Sequence, residues 1–227
     1  MKSVKVNFVS CPFSCGYPSH GTSLGCYLLS RHFGACNMEV FSEWVPFSYG
    51  LQYQVSAAVY FDEIFAKSVR TVCQAQEESL VIFLNGDHFS TLFTVKQFKN
   101  FKPDINRFAL VWIDSHVDLN LPYESPSGNL HGMTVRHLVG EGYSQLVNGC
   151  LVEANDLYFV GGFELDPGER NFLNQRKLKL FTPEELSQLK LDLPVFVSFD
   201  FDIIRDFNAV NTETIIACEL DYLLSNL

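Results

Sequence analysis

At 227 residues the chain is long for a small domain and comfortable for one large α/β unit, so a single domain over residues 1–227 is expected. Hydrophobic residues make up 47% and charged residues 19%, a balance that can bury a sizeable core and excludes intrinsic disorder. With 16 Lys+Arg against 26 Asp+Glu the formal net charge is −10, and no basic patch interrupts it, which excludes nucleic acid and anionic membrane surfaces as expected partners.

Residues 4–9 alternate apolar and polar side chains like a strand, without the continuous apolar run of a signal peptide. No later apolar run approaches the roughly 18 residues that span a bilayer. Seven cysteines, an odd number scattered along the chain, read as reduced thiols of a cytoplasmic protein. Cys11 and Cys15 are spaced C-x-x-x-C with no second Cys/His pair nearby, and read as ordinary loop thiols ahead of a zinc site. Further β-rich apolar runs follow at 39–45, 80–84, 108–113, 157–160, 179–181 and 195–199. Between them, residues 56–76 place Val59, Tyr60, Ile64, Phe65, Val69 and Val72 at helical intervals, and Thr182 with Pro183 reads as the cap and first residue of another helix. This βαβα alternation predicts an α/β fold with a mostly parallel sheet.

The chemistry gathers where strands end. The run Leu110-Val111-Trp112-Ile113 leads into Asp114, His116 and Asp118, and in extended chain a period of two sets all three on one face. The strand at 195–199 leads into Asp200 and Asp202, and that at 80–84 into Asn85-Gly86-Asp87-His88. In open parallel sheets, sites form outside the carboxyl ends of the strands. Four carboxylates meeting there repel one another by about 4 kcal/mol per close pair at an effective dielectric near 20. Two divalent cations would balance them, and an oxygen-rich set with imidazoles and no thiolate favours Mn, Fe or Zn over Ca or Mg. The plainer alternative, separate helix caps and loop acids, fits each cluster alone; three strand-terminal clusters together favour a metal site.

Taken in order, Asn85-Gly86-Asp87-His88, Asp114-Ser115-His116-Val117-Asp118, Ser127-Gly128-Asn129-Leu130-His131-Gly132 and Ser198-Phe199-Asp200-Phe201-Asp202 resemble the signatures of the ureohydrolase superfamily, which includes arginase, agmatinase and formiminoglutamase. The resemblance runs from Pro12-Phe13-Ser14 to about Asp202, and the segment Asp166-Pro167-Gly168-Glu169 is similar to one found in arginases. It implies a three-layer α/β/α fold and two manganese ions per chain. One would be held by His88, Asp114, Asp118 and Asp200, the other by His116, Asp114, Asp200 and Asp202, with Asp114 and Asp200 bridging. It further implies that Asp118 orients the attacking hydroxide and that His131 relays a proton to the leaving amine. Asp166 would bind the substrate's α-amino group and Asn120 and Ser127 its carboxylate, with Asn129 and Glu169 assisting. The implied reaction is hydrolysis of L-arginine to L-ornithine and urea. Agmatine or a related guanidino compound is the alternative substrate, and a catalytically silent metal-binding relative the alternative from another class. Without those resemblances, Asp166-Pro167-Gly168-Glu169 would read as a turn opening a helix, and His131 as a surface-loop histidine.

The chain departs from the arginase pattern in places. Asn85 replaces the first glycine of the usual Gly-Gly-Asp-His turn, and Phe201 replaces a smaller residue between the two aspartates. Arginases continue past the second aspartate pair to a further strand whose glutamate grips the guanidinium, whereas this sequence reads Ile203-Ile204-Arg205-Asp206-Phe207. Glu213 and Glu219 do not stand at the end of an apolar strand, Thr212 matches a substrate-side threonine only weakly, and residues 219–224 read as a helix. Weak or absent activity is therefore expected, together with an open sheet edge that self-association into a homo-oligomer would cover.

Overall fold

The computed structural model describes residues 5–17, 20–35, 50–74, 79–161 and 164–203. The expected strand at 39–45 and everything expected of residues 204–227 lie outside them. Among the described residues, all strand pairing is parallel and forms two sheets. β1 (Lys5–Cys11) pairs with β2 (Ser79–Asn85); β3 (Ala109–Asp114), β4 (Leu157–Gly161), β5 (Leu180–Phe181) and β6 (Val195–Phe199) form the second, in the order β5-β4-β3-β6. The helices are α1 (His20–Phe33), α2 (Gly50–Gln74), α3 (Ser90–Phe101), α4 (Thr134–Leu138) and α5 (Pro167–Arg176).

Alternation along β1 and β2 separates two layers of packing. Phe8, Ile82 and Leu84 pack with Cys26, Leu29 and Phe33 of α1, while Val9, Val81 and Phe83 join Phe61, Phe65 and Phe93 of α2 and α3 in the main core. This is the period of two acting on strands covered from both sides, and it produces the three-layer α/β/α arrangement. Many of the chain's 21 phenylalanines are spent in that core. Phe13 meets Phe61, Phe89 and Phe93 with ring centroids 5.2–6.0 Å apart, in the tilted and edge-on geometries aromatic rings prefer. The same core continues under the second sheet through Leu110, Trp112, Leu157 and Phe159. Phe98 of α3 touches both Phe108 and Phe196, tying β6 to the layer that covers β2.

Local differences have local causes. α2 begins at Gly50, earlier than the apolar periodicity starts, because its first turn packs Leu51 and buries Gln54. Pro183–Gln188 forms a 3-10 helix: Glu185 reaches back to the Thr182 N–H at 2.9 Å, but the chain turns extended at Leu189 after only six residues. The thiols of Cys11 and Cys15 are both buried, and Cys11 donates to the Ser90 carbonyl. Among the described residues no helix is long and apolar enough to cross a membrane.

Candidate metal centre

Three strand ends converge on one point. β2 runs through Gly86 into Asp87 and His88, and the turn is tight enough that a Cβ at Gly86 would stand 2.0 Å from the Phe13 carbonyl oxygen. β3 ends at Asp114, and β6 delivers Asp200 directly and Asp202 through a 3-10 turn at Phe201–Ile203. The Asp200 N–H donates to the Ile113 carbonyl at 2.8 Å, which docks the two ends together. Phe201 turns edge-on to Phe199.

The side chains form two groups with shared membership. In the first, His88, Asp114 and Asp200 place ligand atoms within 4.8 Å of one another; in the second, Asp114, His116 and Asp202 do so. Asp114 belongs to both. His88 Nδ1 lies 2.7 Å from Asp114, 3.2 Å from Asp200 and 3.3 Å from Asp118, and His116 Nδ1 lies 3.0 Å from Asp202 and 3.5 Å from Asp114. Asp200 falls with the first group, and its Oδ1 accepts the Asp202 N–H at 3.1 Å.

The i, i+2, i+4 spacing of Asp114, His116 and Asp118 does not act through one strand face. The strand stops at Asp114, and Asp118 takes a left-handed conformation with φ of 49°, which an aspartate tolerates better than most residues. That reversal sends Asp118 to His88 and leaves His116 to Asp202. It also turns the Asp118 carbonyl toward the N–H groups of Val135 and Arg136 in α4, which anchors the loop.

A second ring of contacts orients the ligands. The His88 ring stacks on Trp112, with centroids 3.9 Å apart and planes 10° from parallel. Its Nε2 sits 3.0 Å from Ser198 Oγ, which lies 3.1 Å from Thr91 Oγ1, which in turn accepts from Asn85 Nδ2 at 3.2 Å. Asn85, where the family pattern has glycine, thus joins the site's polar network. With Nε2 engaged by Ser198, Nδ1 is the nitrogen facing the carboxylates.

Electrostatics follow from this crowding. Burial opposes charge on His88, but Asp114, Asp200 and Asp118 raise its pKa to about 9, and hydrogen bonding to Asp114 and Asp202 raises that of His116 to about 11. Asp114 is held well below the usual carboxylate range by both histidines against the cost of burial. Burial and the neighbouring Asp114 charge push Asp118 up, and burial pushes Asp200 up. Asp118 Oδ2 is buried and makes no aligned hydrogen bond, facing only His88 Nδ1 at 3.3 Å. Lone pairs crowded to a point, one of them orphaned, are a fit for divalent cations, and imidazole with carboxylate oxygens suits manganese, iron or zinc.

The other residues singled out in the sequence form a rim. Asn120 donates from Nδ2 to Asp166 Oδ2 at 2.7 Å, and its own Oδ1 is buried without a partner. Glu169 accepts from the Asp166 N–H at 2.9 Å and from the Leu119 N–H at 3.0 Å, clasping the Asp118–Asn120 stretch to the start of α5. His131 meets the Gly16 carbonyl through Nδ1 at 2.9 Å and lies edge-on to Tyr17. Burial lowers its pKa, and His88 and His116 lower it further. Ser127 is exposed, its hydroxyl accepting from the Asn129 N–H at 3.3 Å, and it makes no hydrogen bond to Asn120 or Asp166. Sequence reasoning missed Ser198, Thr91 and Trp112 as orienting groups. Ser198 was within reach of it, since it stands two before Asp200 on the same strand.

Comparison with known proteins bears on the family and the fold. The model of the Arginase family matches residues 5–214. An arginase of Staphylococcus aureus is 36% identical over 110 residues, covering 48% of this chain and 35% of its own, and one of Neurospora crassa is 32% identical over 162 residues, covering 62% and 45%. The chain thus spans less than half the length of these curated relatives. In fold it is similar to the arginase of Entamoeba histolytica in complex with L-ornithine (TM-score 0.66, 23% identity, 89% of this chain and 76% of that one) and to the arginase of Bacillus subtilis (TM-score 0.67, 23% identity, 88% and 75%). With a family match running across most of its length and the strand-end ligands gathered in one place, the chain belongs to the Arginase family.

Proposed function

We propose that this protein is an arginase-type amidinohydrolase that takes two manganese ions and hydrolyses L-arginine to L-ornithine and urea. The observation that carries the reading is the two ligand groups joined at Asp114, flanked by an aspartate–asparagine pair suited to an amino acid. His88, Asp114, Asp118 and Asp200 would hold one ion, and His116, Asp114 and Asp202, with Asp200, the other. When bound, the cations supply Lewis-acid charge that activates water toward the guanidinium carbon.

The chain's own groups do the rest. Asp166 binds the α-ammonium by a charge-assisted hydrogen bond, and the Asn120 amide fixes the carboxylate's orientation. Asn120 and Ser127 receive the α-carboxylate, with Asn129 assisting. His131 holds its Nδ1 proton on the Gly16 carbonyl, which leaves Nε2 to carry a proton to the leaving amine. The testing experiment is urea release by manganese-reconstituted protein, with L-arginine and agmatine in parallel. Turnover selective for L-arginine is expected. Preference for agmatine, which keeps an amino group but lacks the α-carboxylate, would contradict the carboxylate-binding roles of Asn120 and Ser127, and no urea from either substrate would favour a silent metal-binding relative.

A further inference from the structure

The loop that carries Asn129 and His131 is held by a residue outside every motif. Gln54, in the first turn of α2, is 1% exposed and uses both ends of its amide. Its Oε1 accepts from the Leu130 N–H at 2.8 Å, and its Nε2 donates to Asn129 Oδ1 at 2.8 Å. Leu130 itself is fully buried, so no water stands ready to replace the bond to its N–H. From the other side, the His131 N–H and Nδ1 both meet the Gly16 carbonyl, at 3.1 and 2.9 Å. Gly16 is in turn fixed by its N–H to the buried Asp87 carboxylate at 2.6 Å. Two pins therefore set the loop, and the one from α2 is a single side chain 75 residues away in sequence.

We propose that Gln54 is a positioning residue of the site: its amide fixes the Asn129–Leu130 segment and so keeps His131 seated on Gly16 beside the metal centre. The inference rests on the reading of His131 as the group that serves the leaving amine. The chemistry of the contact separates two substitutions. Gln54→Leu removes donor and acceptor, leaving the buried Leu130 N–H without a partner and Asn129 Oδ1 without its donor. Gln54→Glu keeps the acceptor for Leu130, and Asn129 can turn its amide over to donate Nδ2 to the second carboxylate oxygen, which turns its Oδ1 toward the substrate, so rescue is read in kcat at saturating L-arginine while KM rises.

The test combines amide hydrogen exchange at Leu130 in the full chain, bound manganese per chain, and kcat for urea release. Gln54→Leu should exchange at Leu130 about tenfold faster and lower kcat about tenfold with manganese content unchanged, while Gln54→Glu restores both. Gln54→Ala gives the same reading if the leucine variant does not fold. Unchanged exchange at Leu130, or a glutamate variant as impaired as the leucine one, would overturn the proposal. So would fast exchange with undiminished kcat when His131→Ala is slow. If His131→Ala instead turns over at the wild-type rate, the reading of His131 fails, and the clamp is judged on exchange and its rescue by glutamate alone.

Discussion

Asp114 is the residue on which the site turns, since both ligand groups contain it and both histidines bond to it. In the proposed function, Asp166 governs what the site accepts. Its replacement by alanine removes a charge-assisted contact to an α-ammonium, so the KM for L-arginine should rise by roughly 10- to 100-fold, and steady-state kinetics showing an unchanged KM would refute its role. A histidine outside the candidate ligand set contributes to the response to acid. His137 is fully buried, bonds through Nδ1 to the Met133 carbonyl at 2.8 Å, and has no partner at Nε2. Phe89 and Tyr143 flank the ring, and a Cβ on Gly142 would stand 2.3 Å from it. Burial pushes its pKa down to about 4 from 6.5. Between those values the unfolded chain binds the extra proton and the folded one does not, so stability falls as pH drops through 6.5 toward 4, by about 2 kcal/mol at pH 5. Denaturation of the wild type and of His137→Gln at pH 7.5 and 5 checks this. The wild type should lose that much more than the variant, and parallel losses would show that His137 is not the titrating group.

The element that organises the rim is α5. Glu169 spans from its first turn to the Leu119 N–H and the Asp166 N–H, at 4% exposure, so it holds the Asp118–Asn120 loop and the Asp166 cap in one register. Glu169→Gln can satisfy one N–H and turns a donor toward the other, and should cost about 2 kcal/mol in urea denaturation; a neutral result would mean the two elements hold each other without it. β4 makes the matching demand at its end. Gly161 has φ of 103°, and a Cβ there would stand 2.2 Å from the Asp114 carbonyl oxygen, so Gly161→Ala should displace the end of β3 and lower thermal stability. Sequence pattern made the strand ends legible. The runs before Asp114 and Asp200 are continuous and apolar, and such runs announce a strand and where it stops; the one before Asp114 is buried, while Val195 and Val197 of the other remain exposed among the described residues. What pattern could not convey was the course of the chain after the strand. Asp118 reverses in a left-handed turn, and Gln54 reaches its loop across 75 residues, neither of which leaves a periodic trace.

At the scale of the molecule, the centre joins two sheets that share no backbone ladder among the described residues. His88 comes from the end of the β1–β2 sheet, and its ring is stacked on Trp112 and bonded to Ser198, both in the other sheet. In the proposed dinuclear centre, ions held across that junction would tie both sheets together, so manganese should raise the thermal unfolding temperature as well as enable turnover. The measurement that bears most directly on the account is bound manganese per chain after dialysis, in the wild type and in two variants. The shared position of Asp114 predicts two ions in the wild type, one in His116→Ala and none in Asp114→Asn. Two ions retained in His116→Ala, or a wild type that binds fewer than two, would contradict a dinuclear centre built on these residues.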